Sequence, residues 1–170
     1  MRQKYQFKVS KNNIVIREIK REDDAQVAKM IRAVLIEFGV PKVGTAYADS
    51  ALDCMTETYG ASKTIYYVLD DLGKVIGGAG IAPLEGEEGI CELQKMYFLP
   101  EARGTGLGSD MMATCLNKAK EFGFEKCYLE TLPYMKAATK LYAKAGFEPL
   151  EGPLGNTGHY SCNVWMIKNL

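Results

Sequence analysis

The stretch Pro100-Glu101-Ala102-Arg103-Gly104-Thr105-Gly106-Leu107-Gly108 decides how this chain is read. It follows a largely apolar run, Ile90 to Leu99, and leads into Leu107, Met111, Cys115, Leu116, Ala119 and Phe122, which recur at helical spacing. It therefore lies where a strand hands over to a helix. Glycines at 104, 106 and 108 let backbone amides point at one spot, and the helix that follows adds its positive N-terminal end. The stretch is then either a cradle for a pyrophosphate or a tight strand-to-helix turn. Two other phosphate motifs are excluded: a P-loop needs Gly-Lys-Ser/Thr, which is absent, and a dinucleotide fingerprint needs glycine at 109, which is Ser109.

Working outward, Ile14 to Ile19 reads as a strand and Arg21 to Gly39 as a helix, with Val27, Met30, Ile31, Val34, Leu35 and Phe38 on one face and Pro41 beyond its end. A weaker helix covers about 48–59, placing Ala51, Leu52, Met55 and Tyr59 together. Thr64 to Leu69 and Lys74 to Leu84 read as a hairpin across Asp70–Gly73, and Ile90 to Leu99 completes an antiparallel meander. After the helix at about 106–122 come a strand at 125–131, a helix from Pro133 to Ala145 stopped by Gly146, the short run Phe147 to Leu150, and a last strand near 159–168. The order predicts a mixed α/β layered fold with one parallel crossover.

At 170 residues, one domain spanning 1–170 is expected. The charge is balanced, with 21 basic and 21 acidic residues and one histidine, so no nucleic-acid or anionic-membrane partner is expected. The local exception is residues 1–20, where Arg2, Lys4, Lys8, Lys11, Arg17 and Lys20 face only Glu18. The N-terminus has no apolar core of a signal peptide, and no stretch reaches the roughly 20 apolar residues of a membrane helix. Five scattered cysteines without a C-x-x-C argue against disulfides and zinc, so reduced thiols in a cytoplasmic protein and no metal are expected. Nine of the 17 glycines fall between Gly73 and Gly108, where some feature needs bare backbone.

The Arg103-x-x-Gly106-x-Gly108 turn between strand and helix, followed by a strand and a helix ending in Leu141-Tyr142-Ala143-Lys144-Ala145-Gly146-Phe147, resembles the GNAT superfamily of acyl-CoA-dependent N-acetyltransferases. The resemblance covers Ile14 to Gly39 and Ile90 to Phe147. It implies the GNAT acyl-CoA N-acyltransferase fold, a mostly antiparallel mixed sheet of about seven strands flanked by about four helices. It implies acetyl-CoA as co-substrate, with its pyrophosphate on Arg103, Gly104, Thr105, Gly106, Leu107, Gly108 and Ser109 and its pantetheine arm along Met96, Tyr97 and Phe98. The family sheet splays after that strand, which would put the acetyl group between the 90–99 and 125–131 strands. Where many members carry an asparagine on the cofactor side of the last helix, this chain has Tyr134, which shares a face with Ala138 and Tyr142.

Acetyl transfer to an amine needs a base, because an aliphatic ammonium with a pKa of about 10.4 is almost fully protonated at pH 7. Glu92 is the candidate: it interrupts an apolar strand and precedes Arg103 by eleven positions, the offset of the catalytic glutamate in the superfamily's histone acetyltransferases. The alternatives are a solvent-facing glutamate or one that only fixes the acceptor. Tyr142 matches the family tyrosine near the CoA sulfur and would be the general acid; otherwise it is a core tyrosine. With His159 the sole histidine, no Cys-His or Ser-His nucleophile is indicated. His159 is a candidate acceptor contact or a structural histidine. The family walls its acceptor pocket with segments that correspond to Phe38–Tyr59 and Glu151–Tyr160.

The expectation is therefore a monomeric or homodimeric N-acetyltransferase acting on a primary amine of a small-molecule or amino-acid-like acceptor. The rivals are a non-catalytic acyl-CoA-sensing module and an acyltransferase for a longer acyl-CoA.

Overall fold

The computed structural model describes residues 7–8, 13–40, 42–43, 46–159 and 161–170. Among these residues eight strands form one sheet: β1 (Phe7–Lys8), β2 (Ile14–Glu18), β3 (Ile65–Asp71), β4 (Lys74–Pro83), β5 (Ile90–Phe98), β6 (Lys126–Thr131), β7 (Glu148–Leu150) and β8 (Val164–Asn169). Their order is β1-β2-β3-β4-β5-β6-β8-β7, antiparallel throughout except for β5 and β6. The expected sheet is present, extended by the two-residue edge strand β1. Among the described residues four α-helices accompany it: α1 (Asp24–Glu37), α2 (Met55–Thr58), α3 (Leu107–Glu121) and α4 (Lys136–Lys144).

Period-two alternation sends neighbouring residues of β3 to opposite faces. Tyr66 and Val68 join α1, Leu52 and Met55 on one face, while Tyr67 and Leu69 join Met111, Cys115 and Ala119 of α3 on the other. The sheet is thus the middle of three layers. Val27, Met30, Ile31, Val34 and Leu35 are buried from α1 as their spacing predicts.

Several expected boundaries move. The helix expected at 48–59 is a 3-10 segment, Ser50–Cys54, followed by the single turn α2, although Leu52, Met55 and Tyr59 are buried as expected. The last helix begins at Lys136 instead of Pro133, and β8 begins at Val164, leaving His159 in a loop. Phe38 is not a core residue; it is exposed beneath the Arg103 guanidinium, 5.0 Å from its ring centre. Pro41, Gly44, Thr45 and Tyr160, within segments expected to close α1 or wall an acceptor pocket, lie outside the described residues.

Candidate active site

β5 and β6 run parallel but pair only from Ile90↔Lys126 to Glu92↔Tyr128, although the strands continue to Phe98 and Thr131. Beyond Glu92 they part, and the gap between them is the central feature of the site. A bulge helps to part them. On β5, Lys95 has a left-handed φ of 49°, and the register with β4 shifts between Gly78↔Tyr97 and Gly80↔Gln94. The extra residue bends the strand. The Tyr66 hydroxyl donates to the Lys95 carbonyl at 2.9 Å, satisfying a backbone group freed there. The glycines of β4 make this possible: a Cβ on Gly78 would meet the Tyr66 ring at 2.7 Å, and one on Gly80 would meet Tyr59 and Tyr66 at 2.7 Å.

One side of the gap opens into a cavity of about 290 Å³. Of the residues expected to bind the cofactor, Met96, Tyr97, Phe98, Arg103, Gly104, Gly106, Gly108, Ser109 and Ala138 line it. Leu107 instead packs into the core, Thr105 donates through Oγ1 to the Ala102 carbonyl at 2.8 Å, and Tyr134 is a surface residue outside the lining. Gly104 (φ 70°) and Gly106 (φ 92°) both have left-handed backbones, and Gly106 caps α3 without any side chain accepting from the first-turn amides. These amides and the helix end suit an anion. Arg103 stands beside them: its Nε donates to the Phe98 carbonyl at 2.9 Å, and its guanidinium makes a two-point contact with the Glu37 carboxylate.

A second, smaller pocket lies across the gap, and Met96, Tyr97, Met135 and Tyr142 border both. Glu92 lines this pocket and is only 4% exposed. Its Oε2 accepts from Gln94 Nε2 at 2.6 Å, and Gln94 Oε1 accepts from the buried Tyr59 hydroxyl at 2.8 Å, a chain that fixes the carboxyl. Burial pushes Glu92 up to about 7, with the nearby Glu130 charge adding to the rise and Gln94 and Lys95 opposing it. A carboxyl poised there exchanges protons near neutrality.

Tyr142, buried on α4, packs edge-on against Phe147 with ring centres 6.1 Å apart, and burial raises its hydroxyl above the ordinary tyrosine value. His159 Nδ1 lies 3.9 Å from Glu92 Oε1 and 3.8 Å from Glu130 Oε2. Burial and the Lys95 cation push its pKa down, against the pull of Glu130 and Asp49, so the ring is neutral at pH 7 and these approaches are not ion pairs. The structure thus brings Glu92, Tyr142 and His159 to one pocket.

A strand order with one parallel pair that parts in mid-sheet, beside a glycine turn capping a helix, can be compared with known proteins. Residues 31–147 match the acetyltransferase (GNAT) family. The chain belongs to the GNAT family. An uncharacterised N-acetyltransferase of Escherichia coli, YjgM, is 43% identical over 158 residues, covering 92% of this chain and 95% of its own. An uncharacterised N-acetyltransferase of Schizosaccharomyces pombe, C1271.07c, is 30% identical, covering 82% of this chain and 86% of its own. Among solved structures, a GNAT-family acetyltransferase of Staphylococcus aureus superposes with a TM-score of 0.80 at 18% identity, covering 92% of this chain and 98% of that one. The PaiA N-acetyltransferase of Thermoplasma acidophilum, solved with coenzyme A, superposes at 0.74 with 16% identity, covering 93% and 99%. At such identities the two structures speak for the fold alone.

Within this GNAT domain, three residues that line the smaller pocket, Glu130, Gln94 and Lys95, have no counterpart among the expected site residues; the Tyr59 hydroxyl holds Gln94 and Asp49 holds Lys95 (3.0 Å) from behind. Glu130 follows from the fold: once Glu92 pairs with Tyr128, period two places Glu130, two residues on, on the Glu92 face, but that register is not written in the sequence. No sequence signal marked Lys95, since a left-handed lysine is set by the bulge around it.

Proposed function

We propose that this GNAT acetyltransferase moves the acetyl group of acetyl-CoA directly to a primary amine of a small-molecule or amino-acid-like acceptor. Residues 1–170 act as one domain, monomeric or homodimeric, in the cytoplasm. The observation that carries the proposal is the parted β5–β6 pair, with a buried carboxyl poised near 7 on one side and a tyrosine bordering both cavities. Among the described residues no helix is long and apolar enough to cross a membrane.

The chemistry follows from what each residue can hold. The glycine amides at the start of α3, with Arg103, take the pyrophosphate, and the β5 edge from Met96 to Phe98 and the small side chains of Ala137 and Ala138 flank the pantetheine arm. This leaves the thioester at the gap, between Glu92 and Tyr142. Glu92 as carboxylate accepts a proton from the incoming ammonium, and the lone pair so freed attacks the thioester carbonyl carbon. The C–N bond forms and the C–S bond breaks. Tyr142 donates its hydroxyl proton to the departing sulfur and is reprotonated by the positively charged nitrogen of the tetrahedral intermediate, which thereby becomes the amide N–H. Glu92 returns its proton to solvent.

The test is a thiol-release screen of acetyl-CoA against amino acids, polyamines, aminoglycosides and peptide N-termini. Release with one class and not others identifies the acceptor. Tight acetyl-CoA binding with no release across the panel overturns the catalytic reading in favour of a sensing module, and faster turnover of propionyl- or succinyl-CoA overturns the acetyl assignment.

A further inference from the structure

Glu130 is a second buried carboxylate in the smaller pocket, its side chain only 3% exposed. Its Oε1 accepts from the Tyr128 hydroxyl at 2.7 Å and its Oε2 from the Thr157 hydroxyl at 2.9 Å. Both donors are neutral, so they hold the carboxylate in place without cancelling its charge. The other charged groups facing it do not cancel it either. Lys95, from the bulge of β5, is committed to Asp49 at 3.0 Å with its side chain 7% exposed; His159 is neutral at pH 7; Glu92 is itself an acid. Two acids therefore converge on a pocket whose one described cation is already paired. A buried charge without a partner is costly, and a cationic ligand offsets that cost.

The geometry specifies the cation. Oxygens of Glu92 and Glu130 and a nitrogen of His159 all lie within 4.8 Å of one another. An ammonium nitrogen between two such oxygens makes contacts of the usual charge-assisted length, about 2.7–2.9 Å. Its three N–H donors match three acceptors if His159 carries its proton on Nε2. At about 60 Å³ the pocket is several-fold smaller than the 290 Å³ cavity across the gap.

We infer that Glu130 anchors the acceptor as its ammonium ion, so that the acceptor class is a strongly basic aliphatic amine delivered protonated to Glu92. This rests on the reading of Glu92 and the gap given above. The ammonium enters held by Glu130 and His159, and one N–H proton passes to the Glu92 carboxylate. The freed lone pair attacks the thioester carbon while Glu130 keeps its hold on a remaining N–H.

The test exploits His159 as the sole histidine of the chain, whose ring resonances can be followed by NMR without ambiguity. Benzylammonium should shift them saturably, and benzyl alcohol, of similar shape but neutral, should not. Glu130→Gln, which can still bond to Tyr128 and Thr157, should weaken benzylammonium by about tenfold or more, with coenzyme A affinity unchanged by calorimetry. The same variant should lower the His159 titration midpoint, because the charge that raises it is gone; a midpoint near 6.5 would instead report a displaced loop, for which Thr157→Ala, keeping the Glu130 charge and the benzylammonium affinity, is the second variant. Equal binding of benzyl alcohol, full benzylammonium affinity in Glu130→Gln, no saturable shift, or a site that takes Zn²⁺ but not benzylammonium overturns the proposal. If benzylammonium binds as stated but no amine releases thiol, the anchor stands and the transfer reading falls. If amines are acetylated and Glu130→Gln binds benzylammonium normally, the reverse holds.

Discussion

Arg103 and Glu37 face each other at the entrance to the larger cavity, guanidinium to carboxylate at 2.6 and 2.8 Å, with the Arg103 side chain resting on Phe38. The cation expected to meet a pyrophosphate is thus already occupied by an acid at the end of α1. On the function proposed above, coenzyme A binding exchanges that carboxylate for phosphate oxygens. Glu37→Gln should therefore tighten coenzyme A by a few-fold, since an exposed pair of this kind is weak. Calorimetry that finds weaker binding would show that Glu37 holds Arg103 in the receptive position and does not compete for it.

Glu92 should set the pH dependence of turnover. With its carboxyl at about 7, kcat/KM should rise with an inflection near that pH, and Glu92→Gln should remove the inflection and lower the rate by about 10² to 10⁴. A variant that keeps the wild-type profile would remove Glu92 from the role of base.

The same residue should trade stability for function. Its pKa is about 7 folded against 4.5 for the free side chain, so its favourable contribution is complete below about 4.5 and is lost as pH rises through about 7. The loss is on the order of 3 kcal/mol. Glu92→Gln should accordingly raise Tm above pH about 8, and the gain should shrink toward pH about 4.5. A pH-independent difference in Tm would contradict the linkage.

Tyr142→Phe keeps the buried ring and its contact with Phe147 but removes the acidic proton. Coenzyme A affinity should hold, while kcat falls by about 10² or more. Single-turnover rates on the variant check this; an unaltered rate would make Tyr142 a packing residue only.

Two glycine substitutions should fail in different ways. At Gly106 nothing lies within 4 Å of a new Cβ, but φ is 92°, so Gly106→Ala should strain the loop and weaken coenzyme A binding. At Gly78 a Cβ would press on the Tyr66 ring and the Tyr67 carbonyl at 2.7 and 2.8 Å, so Gly78→Ala should lower Tm by an overpacking cost of about 1–3 kcal/mol. Equal losses in both properties for both variants would contradict the division.

Much of this was legible in the residues, because some requirements are local. The α1 face from Val27 to Leu35, the alternation of β3 and the glycine turn into α3 depend on periods and backbone freedom that neighbouring residues alone set. Phe38 and the 48–59 segment depart from expectation for the opposite reason: spacing reports which residues share a face, not whether something packs on it or which helical pitch the chain takes.

By itself the sequence determined the strand and helix order, the anion-suited turn at Arg103–Gly108 and the candidacy of Glu92 and Tyr142. The tertiary structure alone decided where β5 leaves β6, that Lys95 bulges against Tyr66, and that Glu130 and His159 join Glu92 from a strand and a loop far along the chain. The reason is physical. Burial and charge proximity set the proton affinity of a carboxyl, and both are properties of what surrounds it in space and not of its neighbours in the chain.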